Sequence, residues 1–176
     1  FAMILIVLIV FTGCGQNRIT EKEEKKETVE SEMNEEVKKT AQTFRFVYMK
    51  EKSELNTLKV KRKIINCLEE KGYAAVDCDN QIDMVNREKV EEFCKAAEKE
   101  EQAAVDIVVV FDEGEIIQYH LESMNGKINV RLCQVKWKDN SPQANYYDEY
   151  EAYEWKYTEK GYLFLEEYHP PGFDGA

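Results

Sequence analysis

Ala103-Ala104-Val105-Asp106-Ile107-Val108-Val109-Val110-Phe111 is the stretch whose reading decides the fold. Val105, Ile107, Val109 and Phe111 share one face, while Val108 and Val110 share the other with Asp106 between them. The run therefore reads as a strand covered on both sides and central in a sheet. Forward of it, Asp112-Glu113-Gly114 turns into a strand carrying Ile117, Tyr119 and Leu121, and Asn125-Gly126 is the strongest short-range hairpin signal in the chain. The returning strand changes phase. Ile128, Val130 and Leu132 alternate, then Cys133, Val135 and Trp137 do, which predicts a β-bulge near Leu132. Asp139 to Asn145 reads as a loop. Beyond it Tyr153, Trp155 and Tyr157 alternate with Glu154 and Lys156, and Glu159-Lys160-Gly161 reverses into Tyr162, Phe164 and Tyr168.

Backward from the same stretch, Asn86 stands as cap to a helix carrying Val90, Phe93, Cys94 and Ala97, preceded by a short strand from Ala74 to Asp77. Ser53 offers a cap to an earlier helix with Leu58, Ile64, Ile65 and Leu68, which Gly72 ends. Phe44, Phe46 and Tyr48 alternate with Arg45, Val47 and Met49, the pattern of a strand. The order β-α-β-α-β followed by hairpin-linked strands predicts an α+β fold. Its expected form is a mixed β-sheet of about seven strands, with two helices packed on one face and an antiparallel β-meander at the end.

The whole chain has 176 residues, with 24 Lys and Arg against 35 Asp and Glu, a formal charge of −11. An isoelectric point near 4.8 repels phosphate backbones, so nucleic acid is not an expected partner. The charge is unevenly spread. Arg18 to Lys39 is built from Glu, Lys, Thr, Ser and Asn and cannot bury a core by itself, although Val29, Met33, Val37 and Ala41 recur every four residues as in a helix. The expected organisation is residues 1–13 as a signal peptide, 14–40 as a charged tether, and 41–176 as the α+β domain. Because the chain opens without Met and stops after the Pro170-Pro171-Gly172 turn, that domain is read as the amino-terminal part of a longer protein.

Phe1 to Phe11 is unbroken apolar sequence, yet as a helix it would rise only about 16 Å, roughly half a bilayer core. A break to Thr12-Gly13-Cys14 and then to polar sequence follows, the order of a processing signal. The Phe11-Thr12-Gly13-Cys14 junction resembles a bacterial lipoprotein lipobox. That resemblance implies cleavage before Cys14, a diacylglyceryl group on its thiol, and a membrane partner held through the lipid anchor.

Other residues offer weaker chemistry. Cys67, Cys78, Cys94 and Cys133 are an even number that allows three disulfide pairings, or free thiols. Their spacing and the presence of only two histidines, His120 and His169, argue against zinc, and no metal or cofactor is expected. Cys133 or Cys78 paired with either histidine is the thinnest nucleophile reading. Asp77, Asp79, Gln81, Asp83 and Glu88 echo the spacing of a calcium loop, but Ile82 stands where the sharp turn needs glycine. Ten tyrosines exceed what composition alone would give, and Tyr146, Tyr147 and Tyr150 are expected to be exposed as contacts for a partner.

Gly72-Tyr73-Ala74-Ala75-Val76-Asp77, Asn80-Gln81-Ile82-Asp83-Met84-Val85-Asn86, Phe93-Cys94, and Trp155 through Leu163 together resemble a family of uncharacterised lipoproteins from clostridial bacteria, a domain of unknown function. The resemblance implies location and architecture and carries over no catalytic residue. The functional expectation is a non-enzymatic extracytoplasmic module binding a protein, peptide or glycan. The alternative is a cell-envelope hydrolase completed by residues outside this chain.

Overall fold

A computed structural model describes residues 16–79, 83–159 and 161–168. Cys14 and the predicted signal peptide lie outside the described residues, as do Gln81, His169 and the Pro170-Pro171-Gly172 turn. The chain divides into two compact units, Phe1–Glu32 and Met33–Ala176. Helix α1 runs Gln16–Gln42, so the second unit begins eight residues inside the segment read as tether. The every-fourth-residue pattern explains this. Met33, Val37 and Ala41 are buried in the core.

In the second unit α1 is followed by α2 (Arg45–Lys50), α3 (Leu58–Glu70), β1 (Ala74–Asp77), α4 (Arg87–Glu98), β2 (Ala103–Val110), β3 (Ile116–Met124), β4 (Lys127–Lys138), β5 (Ser141–Glu151), β6 (Glu154–Tyr157) and β7 (Leu163–Glu166). The fold is α+β. Five strands form one mixed sheet in the order β1-β2-β3-β4-β5, and β6 and β7 pair separately as an antiparallel hairpin. Only β1 and β2 are parallel, with Ala75 beside Val108 and α4 as their crossover.

The sheet is covered on both faces, not one. Ala75, Val108, Val110, Ile116, Cys133 and Val135 pack with Ile64 and Leu68 of α3 and with Met33 and Val37 of α1. Ala74, Val105, Ile107, Leu121, Ile128 and Val130 pack with Val90 and Phe93 of α4. Neighbouring residues such as Ala74 and Ala75 point in opposite directions, so one helix on each face satisfies both. The same division explains the phase change along β4. Ile128 and Val130 lie under α4 and Cys133 and Val135 under α3, while the β3–β4 register runs unbroken from Met124 opposite Lys127 to Ile116 opposite Val135. The bulge sits on β5 instead, where Gln134 faces Tyr146 and Val135 faces Ala144, leaving Asn145 unmatched.

Two other local readings change. The expected loop from Asp139 is a two-residue turn, with Asp139 and Asn140 both left-handed (φ 51° and 63°), and Pro142 lies within the edge strand β5, where no ladder N–H is demanded of it. The expected strand at Phe44–Tyr48 is helical. Phe44 and Tyr48 are one turn apart and both meet Trp137, Tyr48 stacking at 4.0 Å with the planes 11° apart, while Phe46 points to solvent. Thr57 rather than Ser53 caps α3, its hydroxyl accepting from Val60 N at 3.4 Å. Asn86 precedes α4 in the left-handed region and makes no cap; its side chain donates to Tyr73 O at 2.8 Å, tying the start of α4 to the end of α3.

Candidate functional site

Helix α4 is only 12 residues long and cannot cover one whole face of a five-stranded sheet. The remainder of that face is roofed by the β6–β7 hairpin, and an opening stays between helix and hairpin. A cavity of about 300 Å3 results. Its floor is Val76 of β1, Ile107 and Val109 of β2, Tyr119 and Leu121 of β3, and Tyr150 of β5; Arg87 and Val90 of α4 form one wall, and Tyr157, Gly161, Leu163 and Leu165 close the other side. A cavity of this volume, lined by aliphatic and aromatic side chains together with several polar groups, falls at the lower end of the range of small-molecule sites.

The polar groups of the lining include the phenols of Tyr119, Tyr150, Tyr157 and Tyr162 and the guanidinium of Arg87. Burial pushes Tyr119 up from the ordinary phenol pKa; burial and then the neighbouring Tyr119 do so for Tyr150. For Tyr157 burial acts first and the Glu91 carboxylate second, in the same direction. All three remain protonated donors at neutral pH. The Tyr157 hydroxyl is buried and makes no hydrogen bond of normal geometry among the described residues, although the Glu91 carboxylate lies near enough to act on it as a weak acceptor. Arg87 gives its Nε to Glu91 at 2.9 Å, one turn along α4.

The three tyrosines singled out from the sequence do not form one surface. Tyr146 is 54% exposed and its hydroxyl donates to Asp148. Tyr147 leans on the α1–α3 cluster at the opposite face and donates to Glu149, and Tyr150 lines the cavity. Tyr153 is exposed and stacks with Tyr168 at 5.3 Å, whereas Trp155 and Tyr157 pack inward. Sequence reasoning missed Arg87, Tyr119 and Tyr157 as site residues. The alternation at Tyr119 and Tyr157 gave their facing but not that the two faces meet.

A second polar assembly crosses the opposite face. Asp106, His120, Arg131 and Glu149 stand in register across β2, β3, β4 and β5. His120 Nδ1 lies 2.8 Å from Asp106 and its Nε2 3.4 Å from Glu122, which Arg131 holds at 2.7 Å. The hydrogen bond to Asp106 raises the His120 pKa, and burial opposes it. Behind it Gln118, fully buried, accepts from Thr40 at 2.7 Å and donates to Glu36 at 3.0 Å. Both ring nitrogens of His120 are thereby engaged by carboxylates, and among the described residues no nucleophile hydrogen-bonds to them.

Cys67, Cys78, Cys94 and Cys133 are thiols rather than members of disulfides. Cys94 is buried and its thiol is pushed up to about 12 by burial and by Glu98 and Glu91. Cys133 is buried with its sulfur 3.1 Å from Asn34 Oδ1. Of the calcium-like set, Asp77 caps the Asp79 N–H, Asp79 pairs with Lys61, and Asp83 pairs with Arg62. Among the described residues no group of three or more His, Cys, Asp or Glu is placed to hold a metal ion. Nor, among them, is any helix long and apolar enough to cross a membrane.

Comparison with known proteins adds the family. No curated protein and no solved structure matches the chain. A sequence profile does match over residues 26–176, which takes in the cavity and the whole of the second unit from Met33 onward; the chain belongs to the family of unknown function DUF6070.

Proposed function

We propose that this protein is a non-enzymatic extracytoplasmic binding module, held on the outer face of the cell membrane by a lipidated Cys14, that takes a small ligand into the tyrosine-lined cavity. The observation that carries the binding reading is that cavity of about 300 Å3 with the buried Tyr157 hydroxyl in its wall, which makes no hydrogen bond of normal geometry among the described residues and has the Glu91 carboxylate as its neighbour. A buried donor that makes no well-formed hydrogen bond is costly to keep unless something fills the space beside it. The anchoring reading draws its support from the sequence, where the apolar run Phe1–Phe11 ends in Thr12-Gly13-Cys14 and gives way to charge. On that reading the family is one of clostridial lipoproteins. A diacylglyceryl group, with acyl chains such as palmitate, holds a protein on a bilayer where a single chain holds it only marginally. Tyr146, exposed on the rim of β5, is the part of the predicted tyrosine set left to face a protein, peptide or glycan.

The hydrolase alternative would rest on the His120–Asp106 pair. Its histidine is clamped between Asp106 and Glu122 and lies on the face away from the cavity, so the binding reading is preferred. Two measurements test the proposal. Cells fed labelled palmitate should label the protein, and Cys14→Ala should abolish the label; persistence of label in the variant refutes the anchor. Native mass spectrometry of the purified chain should show a small-molecule adduct that Val109→Trp, which fills the cavity, removes. An adduct retained by that variant refutes the site.

A further inference from the structure

Two of the cavity's polar groups meet at Gly161. A Cβ built on Gly161 would stand 3.6 Å from the Tyr157 hydroxyl and 3.6 Å from Arg87 Nη1. The phenol and the guanidinium therefore border one small space, which the glycine leaves open. Both are donors at neutral pH, since burial and Glu91 keep Tyr157 protonated and a guanidinium does not lose its proton. Glu91 binds Arg87 through Nε, the side away from that Nη1 contact. A buried donor with no well-formed hydrogen bond, beside a cation, favours a ligand that brings an anionic acceptor able to outcompete Glu91, and one carboxylate has two oxygens with which to meet both groups. Glu91 opposes this through its own charge, and its pairing with Arg87 offsets that opposition.

The aliphatic part of the lining sets the rest of the ligand. Val76, Ile107, Val109 and Leu121 offer only hydrocarbon. A cavity of ~150 Å3 accepts a benzene-sized guest, so about 300 Å3 suits roughly ten to twelve heavy atoms. We infer that the cavity holds a small apolar monocarboxylic acid, its carboxylate between Tyr157 and Arg87 at Gly161 and its hydrocarbon body over the β1–β3 floor. This rests on the cavity being a ligand site at all.

Calorimetric titration of the full chain with octanoate, 1-octanol and octyltrimethylammonium separates the two claims. Octanoate should bind about tenfold tighter than octanol, the scale of one charge-assisted hydrogen bond, and the cationic probe weakest. Arg87→Gln, at a half-exposed position that gives up one ion pair to Glu91, should bring octanoate down to octanol without moving octanol. Tyr157→Phe should weaken octanoate by several-fold. Equal binding of octanoate and octanol by the wild type, or tighter binding of the cation, overturns the carboxylate inference and leaves the cavity standing. Failure of every probe to bind, or full binding retained by a folded Val109→Trp, overturns the cavity reading itself.

Discussion

Lys61 places an ammonium where only 1% of its side chain is exposed, yet its two partners, Asp79 at 2.6 Å and Asp112 at 2.7 Å, are 76% and 64% exposed. Burial works against the charge, and the hydrogen bonds to Asp112 and Asp79 outweigh it, so the Lys61 pKa stands above its usual value. Because the carboxylates can turn to water, removing the cation strands no buried anion. Replacing a buried charge by an apolar chain of like size is then close to neutral. Lys61→Met is expected to shift the thermal midpoint by less than about 5 °C; a much larger fall would mean the carboxylates depend on the ammonium. His120 behaves differently, because its pKa is raised by Asp106. A raised folded-state pKa gives stability that is fully present below the unfolded value of about 6.5 and is lost as pH rises through the folded value. Wild-type stability should therefore fall as pH rises above about 6.5 relative to His120→Asn, measured as urea midpoints on either side of that pH. Parallel curves for the two proteins would sink the assignment.

At the scale of elements, α2 shows how a distant contact overrides a local pattern. Its six residues hold no buried side chain of their own, and the helix is fixed by Tyr48 stacked on Trp137 and by Gly114 beneath it. Gly114 has φ 71°, and a Cβ there would meet Tyr48 Cδ2 at 2.9 Å. Gly114→Ala is expected to cost about 2 to 3 kcal/mol in chemical denaturation, from strain and from the displaced ring together; a cost below about 0.5 kcal/mol would show that α2 swings aside freely. Elements whose signal is local were legible in the sequence. β1, α4, β2 and the Asn125-Gly126 hairpin follow from period and turn chemistry within a dozen residues. Those decided elsewhere were not. Phe44, Phe46 and Tyr48 also fit a two-residue period, and only Trp137, far along the chain, selects the helix. The Asp139–Asn140 turn was hidden in a polar run whose Pro142 reads as loop. The site was legible at Tyr150 alone, because Arg87, Tyr119 and Tyr157 converge only when the β6–β7 hairpin folds over the sheet.

Across the second unit, the two faces of one sheet do different work. The α4 face is incompletely covered and holds the cavity, while the opposite face is filled by α3 and by the last turns of α1. Those turns supply more than apolar contact. Met33, Val37 and Ala41 are buried, Thr40 and Glu36 satisfy the fully buried Gln118, and Asn34 meets the sulfur of Cys133. Losing the two larger side chains would forfeit about 3 to 6 kcal/mol at ~1.5 to 3 each. Leaving Gln118 unpaired would add about 1 to 3 kcal/mol. Set against a total of about 5 to 15 kcal/mol for a domain, that is enough to unfold it. A chain begun at Met33 is therefore expected to give one sharp calorimetric transition. A chain begun at residue 43, close to where composition alone would start the domain, should melt far lower or not cooperatively. Equal midpoints for the two would mean that the amino-terminal helix only rests on the sheet. The α4 face should then still bind octanoate unchanged, whereas coupling from Gln118 of β3 to Asp106, which shares β2 with Val109, predicts that binding weakens together with the fold.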